Sequence, residues 1–359
     1  MNTKYNRLVE ELHRDISSYL DMGISKLPAE RTIASDHNVS RQTVRQALLV
    51  LEQENLIRRI QGSGAHLTGI RPSSDNNTVA LILCSDSEYI YPRLISDIRS
   101  NLAVLGYSLQ IHVTDGLPSI ERTVLNGLNL EKIRCIIAAP AFSGMPSPNI
   151  DLWEKFAGIL PVIFLGRTYS SFKGITTVAF DNINGAAAAT YHLISLSHTR
   201  IGGIFRSDDA TGIDRYLGYN KAMNEADLGV KEENICWFNT NDLNNLQKKQ
   251  DTRFLSDYIK GKLASCTAIL CHNDEIAYWL IKELSHAGIN VPQDLSVVGF
   301  DNSYLSDLSK TRITTATSDC AALADAACEA AVSRMCGRES GDTVIPVKII
   351  SKTSSLRIG

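Results

Sequence analysis

From residue 79 onward, short apolar runs alternate with stretches of helical spacing, and that alternation leaves the chain few architectures. The runs are VALILC, YSLQIHV, CIIAAP, PVIFLG, TTVAF, IGGIF, TAILC, LSVVGF and VIPVKII. They are apolar at successive positions, so both faces of each strand need cover. Helical spacing falls near 92–105, 183–197, 213–226, 242–260, 273–287 and 319–336. Such strands separated by helices predict the α/β class, with parallel, doubly wound sheets. A stretch of about 280 residues suits two lobes rather than one core. Ligands of open α/β sheets sit beyond the carboxyl ends of the strands, so the loops of both lobes are expected to face a shared cleft.

The first 68 residues have a different texture. Tyr5, Leu8, Val9, Leu12, Ile16 and Leu20 predict a helix over 4–21, a short helix follows over 29–36, and Ser40 is placed to cap a third. LIRRI and AHLT then read as strands flanking Gln61-Gly62-Ser63-Gly64, a hairpin. The polar segment after it has no periodicity. The expected division is a compact helical unit with a hairpin over 1–68, a linker over 69–78 and a two-lobed unit over 79–359.

Charge separates these parts. The chain has a formal net charge of −3, yet its first 71 residues hold 10 Lys and Arg against 8 Asp and Glu, and the rest holds 26 against 31. For a nucleic-acid contact, local placement outweighs the total. The third helix sets Arg41 and Arg45 on one face, four residues apart, and Val44, Ala47, Leu48 and Leu51 on the other. Arg41, Gln42 and Arg45 occupy the first turns, where a recognition helix enters the major groove and pairs Arg with guanine and Gln with adenine. In the hairpin, Arg58, Arg59 and Gln61 are placed for phosphates or base edges, and Lys4 for a general phosphate contact. A nucleotide-binding loop fits the same glycines poorly. A third glycine and a following helix are missing, as is Gly-Lys-Ser/Thr.

The eight cysteines form no CxxC pair and mostly sit in apolar runs, which reads as buried thiols of a reducing compartment. CTAILCH offers Cys266, Cys271 and His272 to a metal, but no matching pair occurs elsewhere, so no metal and no cofactor are expected. The charged opening MNTKYNRLVEELHRD lacks the apolar core of a leader, and no apolar run nears the ~18 residues of a span. A soluble, cytoplasmic protein without a membrane partner is expected.

Residues 27–64, LPAERTIASDHNVSRQTVRQALLVLEQENLIRRIQGSG, resemble the winged helix-turn-helix head of the GntR family of bacterial regulators. The resemblance implies operator contacts from Arg31, Ser40, Arg41, Thr43, Arg45, Gln61 and Gly62. One departure is Ala29, where the family often has a capping serine, a loss worth about 1 kcal/mol.

In the larger part, DRYLGYNKA places Arg215 near a helix start, CHNDEIA places Asn273 and Asp274 at a strand-to-helix turn, and VVGFDNS places Asp301 and Asn302 at a strand end. Arg, Asn and Asp are the groups that pair with adjacent sugar hydroxyls, and Tyr89 and Tyr91 of SEYIYP can wall a sugar ring. Taken singly, such an Asp is more often a helix cap and such an Arg a surface charge. Together with VAFDNINGAAAATYHLISLSHTRIGGI, these segments resemble the effector domain of the LacI family, a type I periplasmic-binding-protein fold, over about 79–358. The resemblance implies that Ser85, Tyr89, Tyr91, Arg215, Asn273 and Asp301 face the effector. Where the family often has Asp, this chain has Gly166 followed by Arg167, which adds Arg167 to the expected site; ITTATSDC lacks the usual proline.

A GntR head on a LacI-type body resembles the arabinose-responsive repressors. That pairing implies a homodimer on double-stranded, pseudo-palindromic operator DNA, released by a small sugar, L-arabinose. A different sugar, or activation in place of repression, fits the same contacts. A sugar-metabolising enzyme with a DNA-binding head fits less well. His272 and Asp274 are neighbours in sequence without being a relay, and no GxSxG or HExxH is present.

Overall fold

The computed structural model describes residues 4–53, 56–60, 63–69, 77–86, 89–168, 172, 174–261, 263–308 and 310–358. The head opens with α1 (Lys4–Asp21), α2 (Glu30–Asp36) and α3 (Arg41–Gln53) and closes with an antiparallel hairpin, β1 (Ile57–Ile60) and β2 (Gly64–Leu67). Leu8, Leu12 and Ile16 of α1 recur at helical spacing, are fully buried, and pack with Val44, Ala47, Leu48 and Leu51 of α3. Ser40 caps α3, its Oγ accepting from the Thr43 amide at 3.1 Å. At the start of α2, Ala29 leaves the helix without a side-chain cap.

The next eight elements are β3 (Thr78–Leu83), α4 (Tyr91–Val104), β4 (Ser108–Val113), α5 (Pro118–Gly127), β5 (Ile133–Ala138), α6 (Ile150–Ala157), β6 (Val162–Leu165) and β7 (Ile175–Phe180). The chain then crosses into a second lobe through α7 (Asn182–Ser195), β8 (Ile201–Arg206), α8 (Ala210–Glu225), β9 (Ile235–Phe238), α9 (Thr240–Lys249), α10 (Arg253–Gly261), β10 (Ala268–Cys271), α11 (Asp274–His286), β11 (Ser296–Phe300), α12 (Leu305–Leu308) and β12 (Thr314–Thr317). It returns to the first lobe with α13 (Cys320–Met335) and β13 (Thr343–Ile345), and ends in the second with β14 (Lys348–Ile350).

The sheet orders are β13-β7-β6-β5-β3-β4 and β14-β12-β11-β10-β8-β9. All neighbours are parallel except β14, which runs antiparallel to β12. Mixed α/β with two parallel, doubly wound sheets is the class that the double-sided apolar runs required. Residues 79–83 of β3 are all fully buried, because helices cover both faces of its sheet.

The elements depart from the sequence reading in three places. The single helix expected over 242–260 is two, because Gln250 takes the left-handed conformation (φ 53°) and ends α9. The run VIPVKII is two strands, one in each sheet, broken at Pro346, which has no amide proton for a ladder. The helices α5, α6 and α12 and the strands β9 and β12 were not expected; α6 buries Leu152, Trp153 and Phe156 at helical spacing but runs only eight residues, and β12 is TTAT, yet Thr314, Thr315 and Ala316 are fully buried.

Three connections join the lobes: Phe180 to Asn182, Thr317 to Cys320, and Ile345 to Lys348. The lobes are closed on each other. Lys248 Nζ of the second lies 2.7 Å from Asp115 Oδ2 of the first, and the Gly144 amide donates to the Asp208 carbonyl. Among the described residues, no helix is long and apolar enough to cross a membrane.

Candidate functional site

On the head, α3 turns Arg41, Gln42 and Arg45 to solvent, and Arg31 of α2 is exposed beside them. Arg45 Nε donates to Glu30 Oε2 at 2.9 Å. A pair this exposed is worth at most about 1 kcal/mol, so it orients Arg45 without locking it away from DNA. Ser40 and Thr43 are engaged with each other, their hydroxyls 2.8 Å apart. On the hairpin, Arg58 is exposed and Arg59 pairs with Glu52 at 2.9 Å. Gly64 has φ 98°, a conformation that favours glycine at the wing. Gln61, Gly62 and the side chain of Lys4, three of the expected contacts, lie outside the described residues.

The second site is a cavity of about 180 Å³ between the lobes, at the carboxyl ends of both sheets. Its wall brings together all seven residues expected around an effector: Ser85, Tyr89, Tyr91, Arg167, Arg215, Asn273 and Asp301. The volume is below the ~300–1,000 Å³ of drug-sized pockets, a scale that suits one sugar ring.

Arg215 and Asp301 form its charged floor. Arg215 is 3% exposed; its Nη2 donates to Asp301 Oδ1 at 2.7 Å and its Nε to Asn182 Oδ1 at 3.0 Å. Its Nη1 donates to the His272 carbonyl, and the guanidinium lies 3.7 Å over the Phe300 ring. Asp301 (φ 89°) and Asn302 (φ 49°) both have positive φ, a strained end to β11 that aims the carboxylate inward. Tyr89, also at positive φ (61°), reaches across from the first lobe and donates to Asp301 Oδ2 at 2.7 Å and to the Phe300 carbonyl at 2.9 Å. Burial, with Asp301 adding to it, pushes the Tyr89 phenol well above its ordinary pKa, so it stays a donor.

Asn273 has a second employment. Its side chain accepts from the Ile276 amide at 3.0 Å and caps α11, so only part of its hydrogen-bonding capacity faces the cavity. Arg167 is half-exposed and spans the lobes towards Asp214, 3.4 Å away.

Sequence reasoning missed a second charged cluster in the wall. Arg206, at the end of β8, donates from Nε to Asp208 at 3.1 Å and from Nη2 to Thr240 at 2.7 Å, and its Nη1 pairs with Asp209 at 3.2 Å. Asp209 also caps α8 and accepts from Ser143 of the first lobe at 3.2 Å. Burial alone raises the Asp209 pKa, but Arg206, His272 and the Thr211 amide outweigh it and hold the carboxyl below its ordinary value. The signal was present in FRSDDA, a run of charge straight after an apolar strand.

The wall lacks an activated nucleophile among its described groups. Burial pushes the Cys84 thiol up to about 11, so it is protonated at neutral pH. Asp274 accepts from Thr315 Oγ1 and the Ser303 amide, both at 2.7 Å, and makes no relay with His272. All eight cysteines are unbridged, and no group of three metal-binding side chains gathers among the described residues.

Comparisons with known proteins agree with both halves. Residues 4–67 match the model of bacterial regulatory proteins of the gntR family, and residues 190–355 that of a periplasmic binding protein-like domain. The chain is 30% identical to the arabinose metabolism transcriptional repressor of Halalkalibacterium halodurans over 88% of its length and 84% of the relative's. It is 30% identical to that of Geobacillus stearothermophilus over 87% and 85%. Among solved structures it resembles a periplasmic binding protein/LacI transcriptional regulator from Alkaliphilus metalliredigens, complexed with D-xylulofuranose. That match has a TM-score of 0.66 and 22% identity over 78% of this chain and all of the other. These relatives are named as transcriptional regulators. The chain belongs to the family of the arabinose metabolism transcriptional repressors, and is a transcriptional repressor with a gntR-type head on a LacI-type, periplasmic binding protein-like body.

Proposed function

We propose that the chain represses carbohydrate-utilisation genes in the cytoplasm and leaves its operator when L-arabinose binds between the lobes. The observation that carries this reading is the cavity between the lobes with the Arg215–Asp301 pair at its floor, of a volume that fits a monosaccharide. The choice of sugar rests on the names of the two relatives. The working division is residues 1–68 for DNA, 69–78 as linker, and 79–359 for effector and dimer contacts.

Arg41, Gln42 and Arg45 read bases. Lys4, Arg31, Ser40 and Thr43 hold phosphates, and the wing brings Gln61 and Gly62 to the groove. Two heads of a homodimer meet half-sites about 34–36 Å apart, or a multiple of that. Sugar binding changes how the lobes close and thereby the head spacing. A gel shift on the operator with rising L-arabinose tests this. A coupling of ~1–3 kcal/mol predicts a 5–150-fold loss of affinity. If no aldose moves the band, the mechanism is wrong.

A further inference from the structure

Hydrogen-bond capacity in the cavity is largely spent. Asp301 accepts through both oxygens, from Arg215 and Tyr89. Arg215 donates to Asn182, Asp301 and the His272 carbonyl, and Arg206 to Asp208 and Thr240. Among the described side chains of the wall, His272 stands apart: it is 6% exposed, and its Nδ1 is buried without a hydrogen-bond partner. Buried polar atoms are rarely left unmet, so an orphan in a cavity wall calls for a partner.

The ring is held in place from two sides. It packs edge-on against Phe238, centroids 5.5 Å apart, and its own backbone carbonyl is clamped by Arg215. Its χ2 torsion is two-fold, so either edge can turn to the cavity without moving the backbone. We propose that His272 is a further effector-contacting residue that sets specificity, its imidazole exchanging a hydrogen bond with one hydroxyl of an uncharged sugar. This rests on reading the cavity as a sugar site.

Two observations support the chemistry. Burial, then Arg215, pushes the imidazole pKa well below 6.5, so the ring keeps one donor and one acceptor, the pair that a hydroxyl matches. Every arginine of the wall already faces a carboxylate: Arg167 has Asp214, Arg206 has Asp208 and Asp209, and Arg215 has Asp301. Among the described residues of the wall, the buried arginines, Arg206 and Arg215, are thus held by carboxylates, which favours an uncharged sugar over a sugar phosphate or sugar acid.

Calorimetry on the full chain tests the proposal with L-arabinose, its single-deoxy analogues and its 5-phosphate. His272→Phe keeps a ring against Phe238 and removes both nitrogens; His272→Ala repeats the test if the larger ring is refused. The wild type is expected to bind L-arabinose, with the phosphate weaker. Either variant should lose about tenfold or more. One deoxy analogue should lose a similar factor on the wild type and almost nothing further on the variant, a non-additivity that a merely structural role does not give. Variants that bind L-arabinose like the wild type, or losses that add at every hydroxyl, overturn the role of His272. Phosphate binding as tight as arabinose overturns the uncharged class. A wild type that binds no neutral aldose overturns the sugar reading of the cavity as well, and is thereby distinguishable.

Discussion

At the scale of single residues, the cavity is a set of buried charges kept by their partners. Removing Arg215 leaves Asp301 buried with Tyr89 and no counter-charge. Breaking such a pair costs about 3–5 kcal/mol. Arg215→Ala is therefore expected to lower the unfolding free energy of the two-lobed body by that order. It should keep operator binding, because the head has its own core, and should lose its response to L-arabinose; a normal gel-shift response in the variant removes Arg215 from the site. Asp274 makes a different prediction. Burial is the largest influence and pushes its carboxyl up to about 8, although Thr315 and Ser303 donate to it. Between about pH 4 and 8 the folded state keeps a proton that the unfolded state has lost, so stability falls as pH rises, by about 1.4 kcal/mol per unit for one proton. Asp274→Asn does not titrate. The stability difference should shift in the variant's favour across that window and level off above it. Parallel unfolding profiles of the two proteins from pH 5 to 8 would count against it.

At the scale of elements, caps mark several helix starts, although α4 was readable from its apolar spacing with no side-chain cap. Ser40 announces α3, and Asp209, Asn273 and Asp319 do the same for α8, α11 and α13. The bare start of α2 was equally readable from Ala29, whose backbone (φ −61°, ψ 148°) already suits a capping residue. Ala29→Ser is expected to stabilise the head by about 1 kcal/mol, read from the head's own denaturation transition; an unchanged midpoint would mean that the serine hydroxyl stays with water. The strand β12 was hidden because TTAT carries no apolar run, whereas the equally short β6 and β10 are marked by VIFL and AILC. The expected helix over 242–260 failed for a different reason. Leu243 and Phe254 pack on the same core and, eleven residues apart, keep helical spacing across Gln250, so the pattern alone does not mark the break.

At the scale of the whole molecule, the closed lobes depend on close backbone contact. A Cβ added at Gly144 of the first lobe would sit 2.8–3.0 Å from backbone atoms of Asp209 in the second. Neither side is a flexible side-chain tip, so the lobes must part. Gly144→Ala is expected to open the cleft, raise the radius of gyration in small-angle scattering, and weaken L-arabinose binding. A closed profile with wild-type affinity would show that the lobes meet elsewhere. The contacts of Asp115 with Lys248 and Asn244 lie across the same gap, so opening should release them together.

The sequence by itself determined the class of each half. Double-sided apolar runs admit little besides parallel sheets under helices, and a capped amphipathic helix with arginines on its outer face, followed by a basic hairpin, carries a GntR-type head. The residues themselves pointed to Tyr89, Tyr91, Arg215, Asn273 and Asp301 in the cavity wall, and the resemblance to the LacI family added Ser85 and Arg167. Three results needed the tertiary structure: the Arg206 cluster, the orphan nitrogen of His272, and the contact of Gly144 with Asp209. The Arg206 cluster takes Thr240 from a distant helix start, and Gly144 meets Asp209 from the opposite lobe. Whether a charge is paired, or a ring nitrogen is met, depends on what the fold brings within about 3 Å, and local pattern carries no record of that.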